Sequence, residues 1–337
     1  MAIRVGIMGF GRIGRNIFRI LHSQNEIEIV AICDLGDAKA MEYLLKFDTV
    51  HGRFPDPVVA KGDSLYVKGK QIRMFQLREP GEVPWGDVGA DIVVEASAKY
   101  RTRAWLEKHL ARGAKRVILT VPPTDELDAI LIRGVNDHVL SPKHRLISTS
   151  SITANCVALT LKILHEAFGV ERAFMTTVHA YTNDQRLADV PHTDLRRSRA
   201  AAENIIPTET FAPKVIGKVL PELDGRLDGM AMNVPVPDGS NVDLVTETTR
   251  AVTVESVNEI FRSAAGGPYK GIVEFMEDPI VSSDVIGDTD SVVFDSLATQ
   301  VLGDRLVKTI SWYDNGWAYA QRVVEVIHAI AQLGGTH

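Results

Sequence analysis

The chain runs to 337 residues, 45% hydrophobic and 24% charged, with a formal net charge of −6 and two cysteines. That length fits two domains better than one, and its core needs neither disulfides nor a metal for folding. The balance argues against nucleic acid or an anionic membrane as partner. With no 18-residue apolar run there is no expected membrane span. Cys33 and Cys156, both in apolar surroundings, point to a reducing compartment, most simply the cytoplasm. The opening "MAIRVGIMGFGRIGR" goes straight into a strand, with no charged-then-apolar leader.

Taken in chain order, the first third alternates. The apolar run 3–9 ends in glycine and is followed by a helix face of Ile13, Ile17, Ile20 and Leu21. A second β-branched run covers 27–34, a helical pattern 40–47, and further buried strands 90–97 and 115–122, with a helix over 103–114 between the last two. Such alternation predicts a parallel sheet covered on both faces, a doubly wound domain. The texture changes near residue 150. A helix over 153–167 is followed by longer strands at 171–181, 229–237 and 241–252, with an aperiodic stretch of over thirty residues after 181. A loop of that length in a compact domain is usually functional or packed at an interface. A helix over 316–333 closes the chain.

Gly9-Phe10-Gly11-Arg12-Ile13-Gly14 fits G-x-G-x-x-G between a strand and a helix. Gly9 permits the tight turn, Gly11 lets the backbone approach a pyrophosphate, and Gly14 lets helix pack on strand. The helix N-terminus offers unpaired N–H groups to the phosphates. Twenty residues past Gly14, Asp34 ends the second strand, where a carboxylate accepts from a ribose 2′-hydroxyl and repels a 2′-phosphate. The motif therefore predicts NAD rather than NADP. The bland alternative is a plain tight turn, with Asp34 as a helix cap.

Several segments resemble the phosphorylating glyceraldehyde-3-phosphate dehydrogenase family: "VGIMGFGRIGRN", "YLLKFDTVHGRF", "TTVHAYTNDQ", "LRRSRAAAENIIPT", "GKVLPEL" and "WYDNGWAYAQRVV". The resemblance runs end to end. It implies an α/β chain with a doubly wound (Rossmann) NAD domain, 1–151 plus 316–337, and an α+β catalytic domain, 152–315, with a mainly antiparallel sheet. It also implies a cytoplasmic homotetramer of glucose metabolism, one NAD per subunit, with the 180–208 segment at a subunit interface. Val190-Pro191 resembles the NAD-preferring versions. By resemblance His179 is the general base. Asn315 holds the nicotinamide carboxamide, Tyr319 packs near it, and Ser97 and Thr120 join the glycine loop in holding the cofactor. Ser151, Thr153, Thr182, Arg199 and Thr210 ring the phosphate groups of a small phosphorylated aldehyde. Hydroxyls, amides and an arginine suit that work, since they donate to oxyanions without titrating.

The departures are as informative. The family's thiolate nucleophile would stand at position 152, and here that residue is Ile152. The family reaction forms a thioester there, and isoleucine has no lone pair with which to do so. Thr149 stands where asparagine is usual, Asn233 where an anion-binding arginine is usual, and Phe211 where a glycine is usual, its bulk expected to fill part of the phosphate pocket. Ala98, Met8 and Gly316 replace a glycine, an asparagine and an acidic residue. Several departures at both phosphate sites favour natural divergence over an engineered Cys-to-Ile inactivation.

Other nucleophiles weigh less. Cys156 lies one turn deeper, about 5.4 Å along the helix, and reads as a buried structural thiol. Ser150 and Ser151 read as helix caps. No metal constellation stands out, and the basic run 192–199 reads as an interface or solvated face. The chain is thus expected to be a family member by fold, binding NAD and unable to form the thioester. Two functions remain open: an oxidoreductase without thiol catalysis, and a binding-only paralogue with a regulatory or scaffolding role.

Overall fold

A computed structural model describes residues 2–334. The chain divides into two compact units. The first holds the chain up to Leu131, Asp137–Ser150 and the chain from Ala320. The second holds Ile132–Asn136 and Ser151–Tyr319. The division thus falls between Ser150 and Ser151 and places the first turn of the last helix with the second unit. Residues 335–337 lie outside the described residues.

The first unit is built on β1 (Ile3–Met8), α1 (Arg12–His22), β2 (Ile27–Cys33) and α2 (Ala38–Lys46). A short ribbon follows, β3 (Phe47–Asp48) with β4 (Gly52–Arg53). Then come β5 (Val58–Lys61), β6 (Ser64–Val67), β7 (Lys70–Phe75), β8 (Ile92–Glu95), α3 (Arg103–Ala111), β9 (Arg116–Leu119), β10 (Ala129–Ile130) and β11 (Leu146–Ser148). The sheet order is β10-β11-β9-β8-β1-β2-β7-β6-β5, parallel from β10 to β7. The order reverses at β1, with β2 on one side and β8 on the other, the switch point at which such sheets take dinucleotides. The β-branched runs become strands because both faces are covered: Val5, Ile7, Ile32, Val93, Val94 and Val117 are all buried. The antiparallel edge β5–β7 was not read from the sequence. Its signal was Lys68-Gly69, both at positive φ (51° and 77°), the two-residue hairpin turn that favours Gly at its second position.

The second unit opens with α4 (Ile152–Phe168), capped by Ser151 and stopped at Gly169, whose φ is 69°. It continues through β12 (Val170–Ala180), β13 (Ile206–Thr208), α5 (Ala212–Val219), β14 (Leu227–Val234), β15 (Ser240–Thr248), α6 (Val254–Gly266), β16 (Val273–Met276), β17 (Val292–Asp295), β18 (Gln300–Leu302) and β19 (Leu306–Tyr313) to the first turn of α7 (Trp317–Gly334), the rest of which belongs to the first unit. Its sheet runs β13-β14-β12-β15-β19-β17-β16, with β18 paired to β19. All pairs are antiparallel except β12–β14 and β16–β17. α4 is buried almost all round, from Thr153 through Leu161, as a central helix should be when its apolar residues are not confined to one stripe. Between β12 and β13 the long aperiodic stretch forms one short 3₁₀ turn, at Arg196–Ser198.

Candidate functional site

In the first unit the three glycines separate by role. Gly9 has φ 92°, and a Cβ there would fall 2.5 Å from the Ser97 nitrogen. A Cβ on Gly14 would fall 2.1 Å from the Gly9 carbonyl oxygen, so side-chain absence lets α1 close on the loop. A Cβ on Gly11 meets nothing within 4 Å: this glycine faces open space, where a ligand's phosphates can come close to the backbone. Gly11 is also the N-cap of α1. It supplies no side-chain cap, and the first turn carries no acidic residue. The positive end of the helix is thus left to an anion.

Asp34 is bound to this loop rather than to a helix. Its Oδ2 accepts the Phe10 N–H at 2.6 Å and its Oδ1 the Gly36 N–H at 3.0 Å. The cap of α2 is Asp37, which accepts from Ala40 at 2.8 Å. Each Asp34 oxygen keeps a lone pair for a ribose hydroxyl. Phe10 is buried against Phe18, so it can offer a cofactor only its backbone, whereas Arg12 and Ile13 are half-exposed. Thr120 directs both its N–H and its hydroxyl to the Glu95 carbonyl at 3.1 Å, and Ser97 donates its N–H and hydroxyl to the Glu95 carboxylate. An open glycine, an uncapped helix start and a strand-end carboxylate fit a dinucleotide.

In the second unit, β12 places His179 beside Asn233 of β14. His179 Nδ1 lies 2.6 Å from the Ala180 carbonyl oxygen, so it carries the proton and Nε2 is the basic nitrogen. The ring meets Tyr313 edge-on, centroids 6.2 Å apart. The Ala180 N–H donates to Ser240 Oγ at 2.9 Å, and that hydroxyl donates to Asn315 Oδ1 at 3.0 Å. Asp238 accepts the Asn315 N–H at 3.1 Å. Asn315 is therefore fixed by two partners, Asp238 before β15 and Ser240 at its first position.

The hydroxyls assigned to phosphate divide. Ser151 Oγ accepts the Ala154 N–H at 3.1 Å as the cap of α4, and Thr210 Oγ1 accepts the Ala212 N–H at 3.3 Å. Thr153 is buried, its hydroxyl 3.0 Å from Tyr313 Oη, which also meets Thr177 Oγ1 at 3.0 Å. Thr182 donates to Asp184, which pairs with Arg197, and Arg197 Nε donates to Thr208 at 2.9 Å. Arg199 instead pairs with Asp189 at 3.0 Å, both side chains 60% exposed. The structure thus links Thr182, through Asp184, to Arg197 and Thr208. Both lie in "LRRSRAAAENIIPT", where nothing in the spacing separates one arginine from the other. Asn233 is buried and donates to Gln185 Oε1 at 2.8 Å, which also accepts the Thr182 N–H at 3.0 Å. Its amide holds the 182–185 turn. Phe211 is half-exposed at the start of α5, with the Lys214 ammonium 6.0 Å from its ring centroid, so its ring is not packed away in a pocket.

Ile152 is the first residue of α4. It shares with Tyr313, Ala318 and Tyr319 a crevice too tight for a water molecule. Cys156 is fully buried, its sulfur 3.8 Å from the Ser311 carbonyl oxygen, and burial pushes its thiol pKa well above the ordinary range. Cys33 is likewise buried and pushed up to about 11. Ser150, also buried, sits at φ 62° with its N–H on Ser148 Oγ.

Residues 3–103 match the family model described as glyceraldehyde 3-phosphate dehydrogenase, NAD binding domain, and residues 151–315 match that of its C-terminal domain. Among similar proteins, glyceraldehyde-3-phosphate dehydrogenase 2 of Streptomyces avermitilis is 51% identical over 97% of this chain and 98% of its own. The glyceraldehyde-3-phosphate dehydrogenase of Geobacillus stearothermophilus is 50% identical over 99% of this chain and 100% of its own. That of Streptomyces coelicolor is 52% identical over 97% and 98%.

Proposed function

The chain belongs to the glyceraldehyde-3-phosphate dehydrogenase family, with NAD as its cofactor, and we propose that it is a member without thiol catalysis. The observation that carries this reading is Ile152 at the first position of α4 with no substitute nucleophile: Cys156 is buried, Ser150 is buried and the Ser151 hydroxyl caps the helix. A thioester cannot form on these residues.

What is retained suits a small aldehyde or phosphorylated ligand. By resemblance His179 is the general base, and the contact of its Nδ1 with the Ala180 carbonyl supports Nε2 as the nitrogen that takes a proton, from a ligand hydroxyl or from a water that hydrates an aldehyde. Bound NAD supplies a hydride acceptor, and the resemblance gives Asn315 and Tyr319 to its nicotinamide. Arg197, Thr182 and Thr208 offer a cation and hydroxyls to a phosphate, although Asp184 already neutralises the arginine. That neutralisation, with the amide of Asn233 committed to Gln185, favours a second reading: a binding-only paralogue whose ligand carries less negative charge than the family's. Homotetramer assembly is part of the proposal. It is supported by Leu187, Leu195 and Ile205, all strongly exposed on the 180–208 segment, as an interface would require. A cytoplasmic place in glucose metabolism is part of the same proposal, supported by the family membership. Among the described residues no helix is long and apolar enough to cross a membrane.

The test is NADH formation from glyceraldehyde 3-phosphate, NAD and phosphate, run beside Ile152→Cys. Turnover by the unaltered protein overturns the reading. Activity only in Ile152→Cys marks the isoleucine as an isolated lesion, natural or engineered, in an otherwise intact site. Silence in both, with NAD still bound, supports a changed or absent substrate.

A further inference from the structure

Beside the cofactor loop lies a buried polar chain of which the family reading uses only Ser97. The Trp85 indole N–H donates to His109 Nδ1 at 2.9 Å, and His109 Nε2 lies 3.0 Å from Glu95 Oε2. The other carboxylate oxygen, Oε1, accepts the Ser97 N–H at 2.9 Å and the Ser97 hydroxyl. Trp85, His109 and Glu95 are each 0% exposed. The donor inventory fixes the protonation. An indole nitrogen can only donate, so His109 Nδ1 must accept. Its one proton is then on Nε2, and the ring is neutral. Glu95 in turn accepts from three donors and donates to none, which is the pattern of a carboxylate anion. A negative charge is therefore buried here with hydrogen bonds, and among the described residues its partner in ion-pair geometry is the neutral His109.

Its place in the fold gives that charge a target. Glu95 ends β8, in register with Met8 of β1, directly before the Gly9 turn. Asp34, read above as the partner of the adenosine ribose, directly follows β2 on the other side of β1. A dinucleotide lying across the switch point with its adenosine half at β2 has its other half over β8. Both Ser97 and Thr120 hang on Glu95, one by its carboxylate and one by its carbonyl. A Ser97 hydroxyl that donates to Glu95 and accepts the Lys99 N–H at 3.2 Å can offer a ribose only its remaining lone pair.

We propose that Glu95, held as an anion by a histidine that Trp85 keeps neutral, is a positioning and redox-state-selecting residue that makes the first unit bind the cationic oxidised cofactor in preference to the reduced one. The inference rests on the cofactor reading above. A fixed negative charge in a low-dielectric interior acts on the nicotinamide cation and has no counterpart in dihydronicotinamide.

The experiment is direct binding of NAD and of NADH to the full chain, measured by calorimetry and by NADH fluorescence. No binding of either by the unaltered protein overturns the cofactor reading and this inference with it. Glu95→Gln is expected to weaken NAD about three- to tenfold more than NADH. Equal weakening of both would make Glu95 merely structural and overturn the inference. His109→Gln keeps one donor and one acceptor and adds no charge, so it separates the alternatives even if Glu95→Gln does not fold. An unchanged NAD-to-NADH affinity ratio is expected. A rise in NAD preference would show that His109 is a cation paired to Glu95 and would overturn the inference.

Discussion

Ser240 donates its hydroxyl to Asn315 Oδ1 at 3.0 Å while accepting the Ala180 N–H at 2.9 Å. One buried side chain thus ties the residue next to His179 to Asn315, the asparagine proposed for the nicotinamide. Removing that hydroxyl leaves a buried N–H and an amide oxygen short of a partner, at a cost of about 1–3 kcal/mol. Ser240→Ala should therefore lower the urea midpoint and weaken NAD binding together. A variant that loses stability but binds NAD as before would show that Asp238 alone suffices to hold Asn315.

The cysteines give a chemical test of the nucleophile position. Cys33 and Cys156 are buried, with thiol pKa values raised by burial, so neither presents a thiolate near neutral pH. The folded protein should resist iodoacetamide at pH 7. Ile152→Cys should gain one reactive site, mapped by mass spectrometry to residue 152 at the start of α4. Fast labelling of the unaltered protein at Cys156 would contradict the packing described here.

Glu274 lies with Asp288 and Asp290, and burial, then the neighbouring Asp288 and Asp290, push its pKa up from 4.5 to about 7. A raised carboxyl pKa means that the folded state holds the proton longer than the unfolded chain does. The stability this group contributes is full below about 4.5 and is lost as pH rises through about 7. Denaturation midpoints should fall across that window. Glu274→Gln should flatten the slope, and an unchanged pH profile would remove Glu274 as its source.

Ala98 holds φ 61°, a left-handed backbone that disfavours any side chain. The strain is about 1–2 kcal/mol. Ala98→Gly should raise the melting temperature, less the chain entropy that glycine adds to the unfolded state. A drop would mean that the Ala98 methyl makes contacts worth more than the strain.

Asp34 holds the loop, and we propose that it also sets the cofactor preference. Asp34→Ala should cost NAD affinity and also stability, since the Phe10 and Gly36 N–H groups lose their acceptor. Discrimination against NADP should relax, because the carboxylate that repels a 2′-phosphate is gone. NADP binding that stays absent would place the discrimination elsewhere, for example at Val190-Pro191.

Periodicity and spacing were enough for the elements around the cofactor loop. Short β-branched runs alternating with one-faced helices admit few arrangements other than a doubly wound sheet. The glycine positions are dictated by backbone clearances of 2–3 Å at Gly9 and Gly14, which leave no alternative residue. The absence of a nucleophile at 152 is likewise written in one letter. Tertiary structure decided what no spacing records. Arg197 rather than Arg199 reaches Thr208 and, through Asp184, Thr182, because the 181–205 stretch has no repeating geometry and its path is set by long-range pairings. Thr153 turns to Tyr313, 160 residues along the chain, and Asn233 turns to Gln185. The neutral state of His109 emerges only when β8, α3 and Trp85 are brought together, since a hydrogen-bond inventory exists only among groups that already touch.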